Sequence, residues 1–325
     1  MDRRRFLRAS GGAVGTALAG VAVPGIAAAA TVPPIALGAY VADAPGDATR
    51  LDAFAATVGV APAVVMWYQD WAHAAPFDAA GMAAVSSRGA MPMVTWQPWD
   101  SGMGVRQPDY SLASIIGSTY DPYIAQWAQG AKAYGKPFYL RFAHEMNGIW
   151  YPWGDGVNGN TTGQYIAAWR HVQAIFRREG AMNARWVWSP NVASGAAKSS
   201  FATFYPGDAS VDWVGMDGYN WGTSQGWSTW QTLATVFGPT YGSLAKMTAK
   251  PMMIAETASA EEGGSKARWI AQGLANTIPA SYPRIKAVIW FDEDKETNWR
   301  VDSSPTALAA YRLVAKSAAY QGKLT

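Results

Sequence analysis

Residues 137–145, Pro-Phe-Tyr-Leu-Arg-Phe-Ala-His-Glu, are apolar for most of their length and end on a carboxylate, after which Met-Asn-Gly turns the chain at 146–148. Glu145 is the first glutamate in the sequence. A run that is apolar on both alternations reads as a strand buried on both faces, as in a parallel sheet. Seven more such runs occur, at 35–40 (IALGAY), 63–68 (AVVMWY), 91–96 (MPMVTW), 185–190 (RWVWSP), 211–219 (VDWVGMDGY), 251–257 (PMMIAET) and 286–291 (KAVIWF).

Segments with helical spacing lie between them. DATRLDAFAATVG ends on Gly59, and TGQYIAAWRHVQAIFRREG starts at Thr162 and stops at Gly180; YDPYIAQWAQGAKAYG opens with Asp121 as cap and Pro122 at the first helical position. Eight strands alternating with helices predict an α/β fold, a single (β/α)8 TIM barrel over residues 31–325, a fold of usually about 250 residues plus insertions. A doubly wound open sheet is the weaker alternative, because no glycine-rich phosphate loop follows the first strand.

The first thirty residues differ from the rest. MDRRRFLRAS and the Gly/Ala-rich stretch after it have the basic start, short apolar middle and small-residue end of an export signal. Arg3 and Arg4 resemble a twin-arginine address, which predicts cleavage near Ala30 and a secreted or periplasmic protein. Removing 1–30 takes away four arginines and one aspartate, so the formal net charge falls from +3 to zero. A neutral mature chain has no electrostatic footprint for nucleic acid or anionic membrane. It also carries no membrane span in this reading, and a monomer is expected. There is no cysteine, and His73, His144 and His171 are too scattered for a zinc site, so neither a disulfide scaffold nor a metal cofactor is predicted.

The 17 tryptophans are unusual, and many sit in polar, glycine-rich loops such as WQPWDSGMG, WYPWGDGVNGN and YNWGTSQGWSTW. Aromatic faces in loops suit sugars, although some of these rings must pack the loops down. In WGDGVNGNTTG, Asp and Asn could ligate an ion, but helix capping by a Thr or Asn is the simpler reading.

In a (β/α)8 barrel the active site lies at the C-terminal ends of the strands. Of seven glutamates, only Glu145 and Glu256 leave the ends of apolar strands, the fourth and the seventh. Two carboxylates at one rim can face a single bond, which suits glycoside hydrolysis: one protonates the departing oxygen and the other attacks the sugar or activates water. Neighbouring candidates are His144, Arg141 and Asn147 for Glu145, and Tyr219 for Glu256. No cofactor is needed.

RFAHEMNGIWYPWG resembles the acid/base region of glycoside hydrolase family 26, and MIAETAS its nucleophile strand; the resemblance runs over roughly residues 35–314. It implies that Glu145 is the general acid/base and Glu256 the nucleophile of a retaining double displacement. It also implies that His144 contacts the sugar or orients the acid, that Tyr219 holds the nucleophile, and that Trp290 forms the platform under the sugar being cleaved. Trp150 matches a subsite tryptophan, with Trp96, Trp99 and Trp153 in flanking subsites. Ala143 departs from the family's usual strand pattern. The substrate implied is a polysaccharide, foremost β-1,4-mannan cut by endo attack, with mixed-linkage β-1,3-1,4-glucan, β-1,3-xylan or a non-catalytic carbohydrate-binding barrel as alternatives.

Overall fold

The computed structural model describes residues 34–192 and 200–324, so the export signal expected at 1–30 lies outside the described residues. The strands are β1 (Ala36–Val41), β2 (Val64–Asp70), β3 (Met91–Gln97), β4 (Phe138–Phe142), β5 (Ala184–Trp188), β6 (Trp213–Asn220), β7 (Met252–Ser259) and β8 (Ile285–Asp292). All eight fall on the predicted runs. Each pairs in parallel with its sequence neighbours, and β8 closes on β1, giving the closed eight-stranded barrel. The helices are α1 (Thr49–Val58), α2 (Ala79–Ser86), α3 (Leu112–Ile116), α4 (Asp121–Tyr134), α5 (Thr162–Glu179), α6 (Leu233–Met247), α7 (Lys266–Ile270), α8 (Ile278–Ser281) and α9 (Pro305–Lys316). Among the described residues no helix is long and apolar enough to cross a membrane.

Local chemistry sets the helix ends. The Thr161 hydroxyl accepts from the Gln164 backbone while the Gln164 side chain accepts from the Thr161 backbone, a capping box that starts α5; Gly180 ends it in the left-handed region. Asp121 behaves differently from the cap expected of it. It is the first residue inside α4, and its carboxylate lies 2.6 Å from His171 Nε2 on α5.

Alternation along each strand divides the side chains between two cores. Ala36, Val64, Met66, Met93, Tyr139, Val187, Met253, Ala255, Ala287 and Ile289 fill the barrel interior. Their neighbours, such as Val65, Trp67, Val94, Trp96, Leu140, Phe142, Trp186, Trp188 and Trp290, belong to the larger cluster packed with the helices. Two steps along a strand stay on the same side, so the inward series continues upward to Tyr68, Thr95, Arg141, Asp217 and Tyr219 at the mouth. β7 breaks the rule. Its pairing with β6 jumps from Ile254–Met216 to Glu256–Asp217, and its pairing with β8 slips over the same residues. This bulge puts one extra residue into β7, so that Glu256 turns toward the mouth even though Ala255, just before it, already points inward.

Candidate active site

Three donors hold Glu256. Tyr219 gives its hydroxyl to Oε1 at 2.5 Å, and Tyr68 on β2 gives its hydroxyl to Oε2 at 2.5 Å. Arg141 Nη2 donates to Oε2 at 2.6 Å. Burial, reinforced by the charge of Glu256, raises both phenols far above the ordinary tyrosine range, so each remains a neutral donor. Arg141 is completely buried and is fixed by Nε donating to Thr95 Oγ1 at 2.8 Å. Its Nη1 also approaches Asp217 Oδ1 at 2.8 Å, an ion contact off the N–H direction, and Ser189 donates to the same oxygen. Burial alone would lower the guanidinium pKa, but the carboxylates of Asp217 and Glu256 more than reverse this and keep the cation. Asp217 is itself pushed up by burial, against the pull of Arg141.

Glu145 has different surroundings. Its backbone is left-handed, with φ +52°, and Ala143 two residues earlier has φ +43°. Each such non-glycine residue costs on the order of 1–3 kcal/mol, strain of the kind that concentrates at functional sites. Hydrogen bonds to both neighbouring strands hold the segment: Ala143 N donates to Trp96 O, and Glu145 N to Ser189 O at 2.7 Å. Asn191 Nδ2 donates to Glu145 Oε1 and Trp150 Nε1 to Oε2, each at 2.6 Å. Burial and then the charge of Glu256 raise the Glu145 pKa to about 7, with the two hydrogen bonds opposing the rise. The two carboxyl groups therefore stand in different surroundings: Glu256 accepts from two phenols and a guanidinium, and Glu145 from an amide and an indole. Arg141 pairs with Glu256 rather than with Glu145, the residue it was grouped with in the sequence.

Several expected sugar contacts do not survive the geometry. Trp290 is fully buried on the outer face of β8, against Trp269, Tyr311 and the Lys266 ammonium, because alternation puts its neighbour Phe291 on the inner side. Phe291 stacks on Tyr40 at 4.6 Å and faces Tyr219 edge-on, so these rings stand at the mouth where Trp290 was expected. Trp96 likewise points outward, stacked on Trp127 of α4. Trp153 is buried, with its indole N–H on the His144 carbonyl and its ring stacked on Tyr151 at 4.5 Å. None of the three presents a face to solvent. Arg141 is a buried anchor for Glu256 rather than a substrate contact. The amide of partly buried Asn147 exchanges two 2.9 Å hydrogen bonds with the Asn191 backbone and so orients Asn191 toward Glu145.

Trp150, 41 % exposed, keeps an open face beside Glu145. Trp99 is half-buried and stands edge-on to Tyr151 and Trp153. His144 is buried, and its pKa is driven down by burial and by Arg141; neither ring nitrogen has a partner among the described residues.

Sequence reasoning missed Tyr68, Asn191 and Asp217. Alternation could have found Tyr68 and Asp217, both two residues above inward-facing positions, whereas Asn191 follows the end of β5 and carried no separate signal. Among the described residues no cluster of three or more His, Cys, Asp or Glu could hold a metal. In the WGDGVNGNTTG segment Thr161 caps α5, as expected, while Asn160 donates to Pro152 O and Asn158 to Val105 O.

The model of glycosyl hydrolase family 26 matches residues 63–277. Endoglucanase H of Acetivibrio thermocellus is 45% identical over 251 residues, 76% of this chain and 26% of that protein. Mannan endo-1,4-beta-mannosidase A and B of Caldalkalibacillus mannanilyticus is 37% identical over 86 residues, 25% of this chain and 16% of that protein. The chain thus spans about a quarter or less of the length of these relatives. A modular endo-beta-1,4-mannanase from Cellulomonas fimi has the same fold, with a TM-score of 0.69 at 20% identity over 90% of this chain and 73% of that one. The chain belongs to glycosyl hydrolase family 26.

Proposed function

We propose that the protein is a retaining endo-β-glycanase, with Glu145 as general acid/base and Glu256 as nucleophile. The observation that carries this reading is the asymmetry of the two carboxyl groups: Glu145 is raised to about 7, while Glu256 receives two phenols and a guanidinium. Near neutral pH, Glu145 holds a proton for the departing glycosidic oxygen. Glu256 attacks the anomeric carbon, forming a glycosyl ester as the C–O bond to the leaving sugar breaks. Glu145, now ionised, takes a proton from water, and that water cleaves the ester with net retention. Arg141, Tyr68 and Tyr219 fix the attacking carboxylate in place beforehand.

For the substrate we favour a β-linked glucan, because the long stretch of 45% identity is to a protein named as an endoglucanase. β-1,4-Mannan is the second reading, favoured by the sequence motifs and by shorter matches to mannan endo-1,4-beta-mannosidases. Export through the twin-arginine-like segment fits action on a polymer outside the cell. Reducing-end assays on barley β-glucan, carboxymethylcellulose, glucomannan, galactomannan and β-1,3-xylan test the proposal. Cleavage of a glucan supports the first reading and galactomannan cleavage alone the second, while inertness on all of them would refute a glycanase role.

A further inference from the structure

Trp227, in the loop after β6, is 72 % exposed, more than any other aromatic ring among the described large hydrophobics left in solvent. One exposed ring alone is ordinary on a protein surface, but this one stands at the end of a line of packed rings. Trp227 packs at 5.3 Å on Trp221, which in turn lies 6.0 Å from Tyr219, the phenol bonded to Glu256. Buried Trp299 backs both Trp221 and Tyr219, at 4.8 and 4.9 Å. A continuous line of rings therefore leads from the nucleophile to the outer edge of the mouth, on a different loop from Trp150 beside Glu145.

The loop that carries Trp227 is braced. Ser228 donates to Gly222 O and Gln225 O, and Thr223 N donates to Glu262 O in the loop after β7. Gly222 has φ +53°, and a Cβ there would strike the Glu262 carbonyl, so the two loops meet at a contact that only glycine permits. The loop backbone is thus held in place and the Trp221 ring supports the indole on one side, which lowers the ordering cost of binding, as a preformed platform requires.

We infer that Trp227 is a distal sugar-binding platform on the nucleophile side of the cleft, stacking on a hexose unit beyond those next to the cleaved bond and favouring long chains over short ones. This rests on the glycanase reading above. The test compares Trp227→Ala and Trp227→Phe with the parent on trisaccharide and hexasaccharide substrates of the gluco- and manno- series. The expected result is that Trp227→Ala lowers the hexasaccharide-to-trisaccharide ratio of kcat/KM by roughly tenfold, through KM, and that Trp227→Phe restores most of it. An unchanged ratio with an active parent, or equal losses on both lengths, would overturn the platform while leaving the glycanase reading intact. A parent inactive on every oligosaccharide and polymer would remove both.

Discussion

Replacing Trp150 by Phe isolates the hydrogen bond that opposes protonation of Glu145. The indole N–H lies 2.6 Å from Glu145 Oε2 and stabilises the ionised carboxylate, while Phe keeps a flat ring on the same side of the cleft. A hydrogen bond to a charged group contributes about 1.5–3 kcal/mol when intact. Trp150 is partly exposed, so water recovers some of this, and about 1.4 kcal/mol, one pKa unit, is the expected net loss. The sign is upward: without the donor the charged form is less favoured, and the Glu145 pKa moves from about 7 to about 8. The general acid must be protonated to act, so activity falls as pH rises through that value. The basic limb of kcat/KM, which reports the free enzyme, therefore shifts from near 7 in the parent toward 8 in Trp150→Phe. Asn191→Ala, which removes the other donor, shifts it in the same direction. A basic limb that stays fixed or moves to lower pH in Trp150→Phe would refute the assignment of that limb to Glu145.

Two further outcomes follow from the same geometry. Because the folded-state pKa of Glu145 is raised above the ordinary 4.5, its ionisation destabilises the fold progressively as pH rises from about 4.5 through about 7. Urea denaturation should show Glu145→Gln gaining stability relative to the parent between about pH 4 and pH 8, by at most ~3 kcal/mol; a constant difference across that range would contradict it. Trp290→Phe removes buried packing and the 2.9 Å bond to Trp299 O, costing about 1–3 kcal/mol of folding stability. It should leave KM for the polymer unchanged, whereas a raised KM would restore Trp290 as a sugar platform.

The barrel was legible because a parallel strand buried on both faces writes itself as an apolar run, and eight such runs alternate with helices whose ends carry Gly59 and Gly180. The strand ends bearing Glu145 and Glu256 were legible for the same reason. Side-chain direction at the mouth was harder to read. Simple alternation on β8 would have put Phe291 inward and Trp290 outward, and the motif match obscured it. On β7 alternation itself fails, since the bulge at Ala255 and Glu256 leaves no mark in the sequence. Arg141 is nearest in sequence to Glu145, yet the two-residue period of β4 carries its side chain under Glu256. The aromatic count pointed to a sugar cleft, but most of the strand tryptophans, Trp96, Trp186, Trp188 and Trp290 among them, fill the layer between barrel and helices.

The most direct test of the catalytic assignment is to trap the intermediate. The protein is incubated with an activated glycoside fluorinated beside the anomeric carbon, which slows the second displacement more than the first, and the peptides are then mapped by mass spectrometry. The account predicts one covalently bound sugar on Glu256, and products released from natural substrate with the β configuration retained. A sugar ester on any other residue, or inverted products with no ester at all, would contradict it.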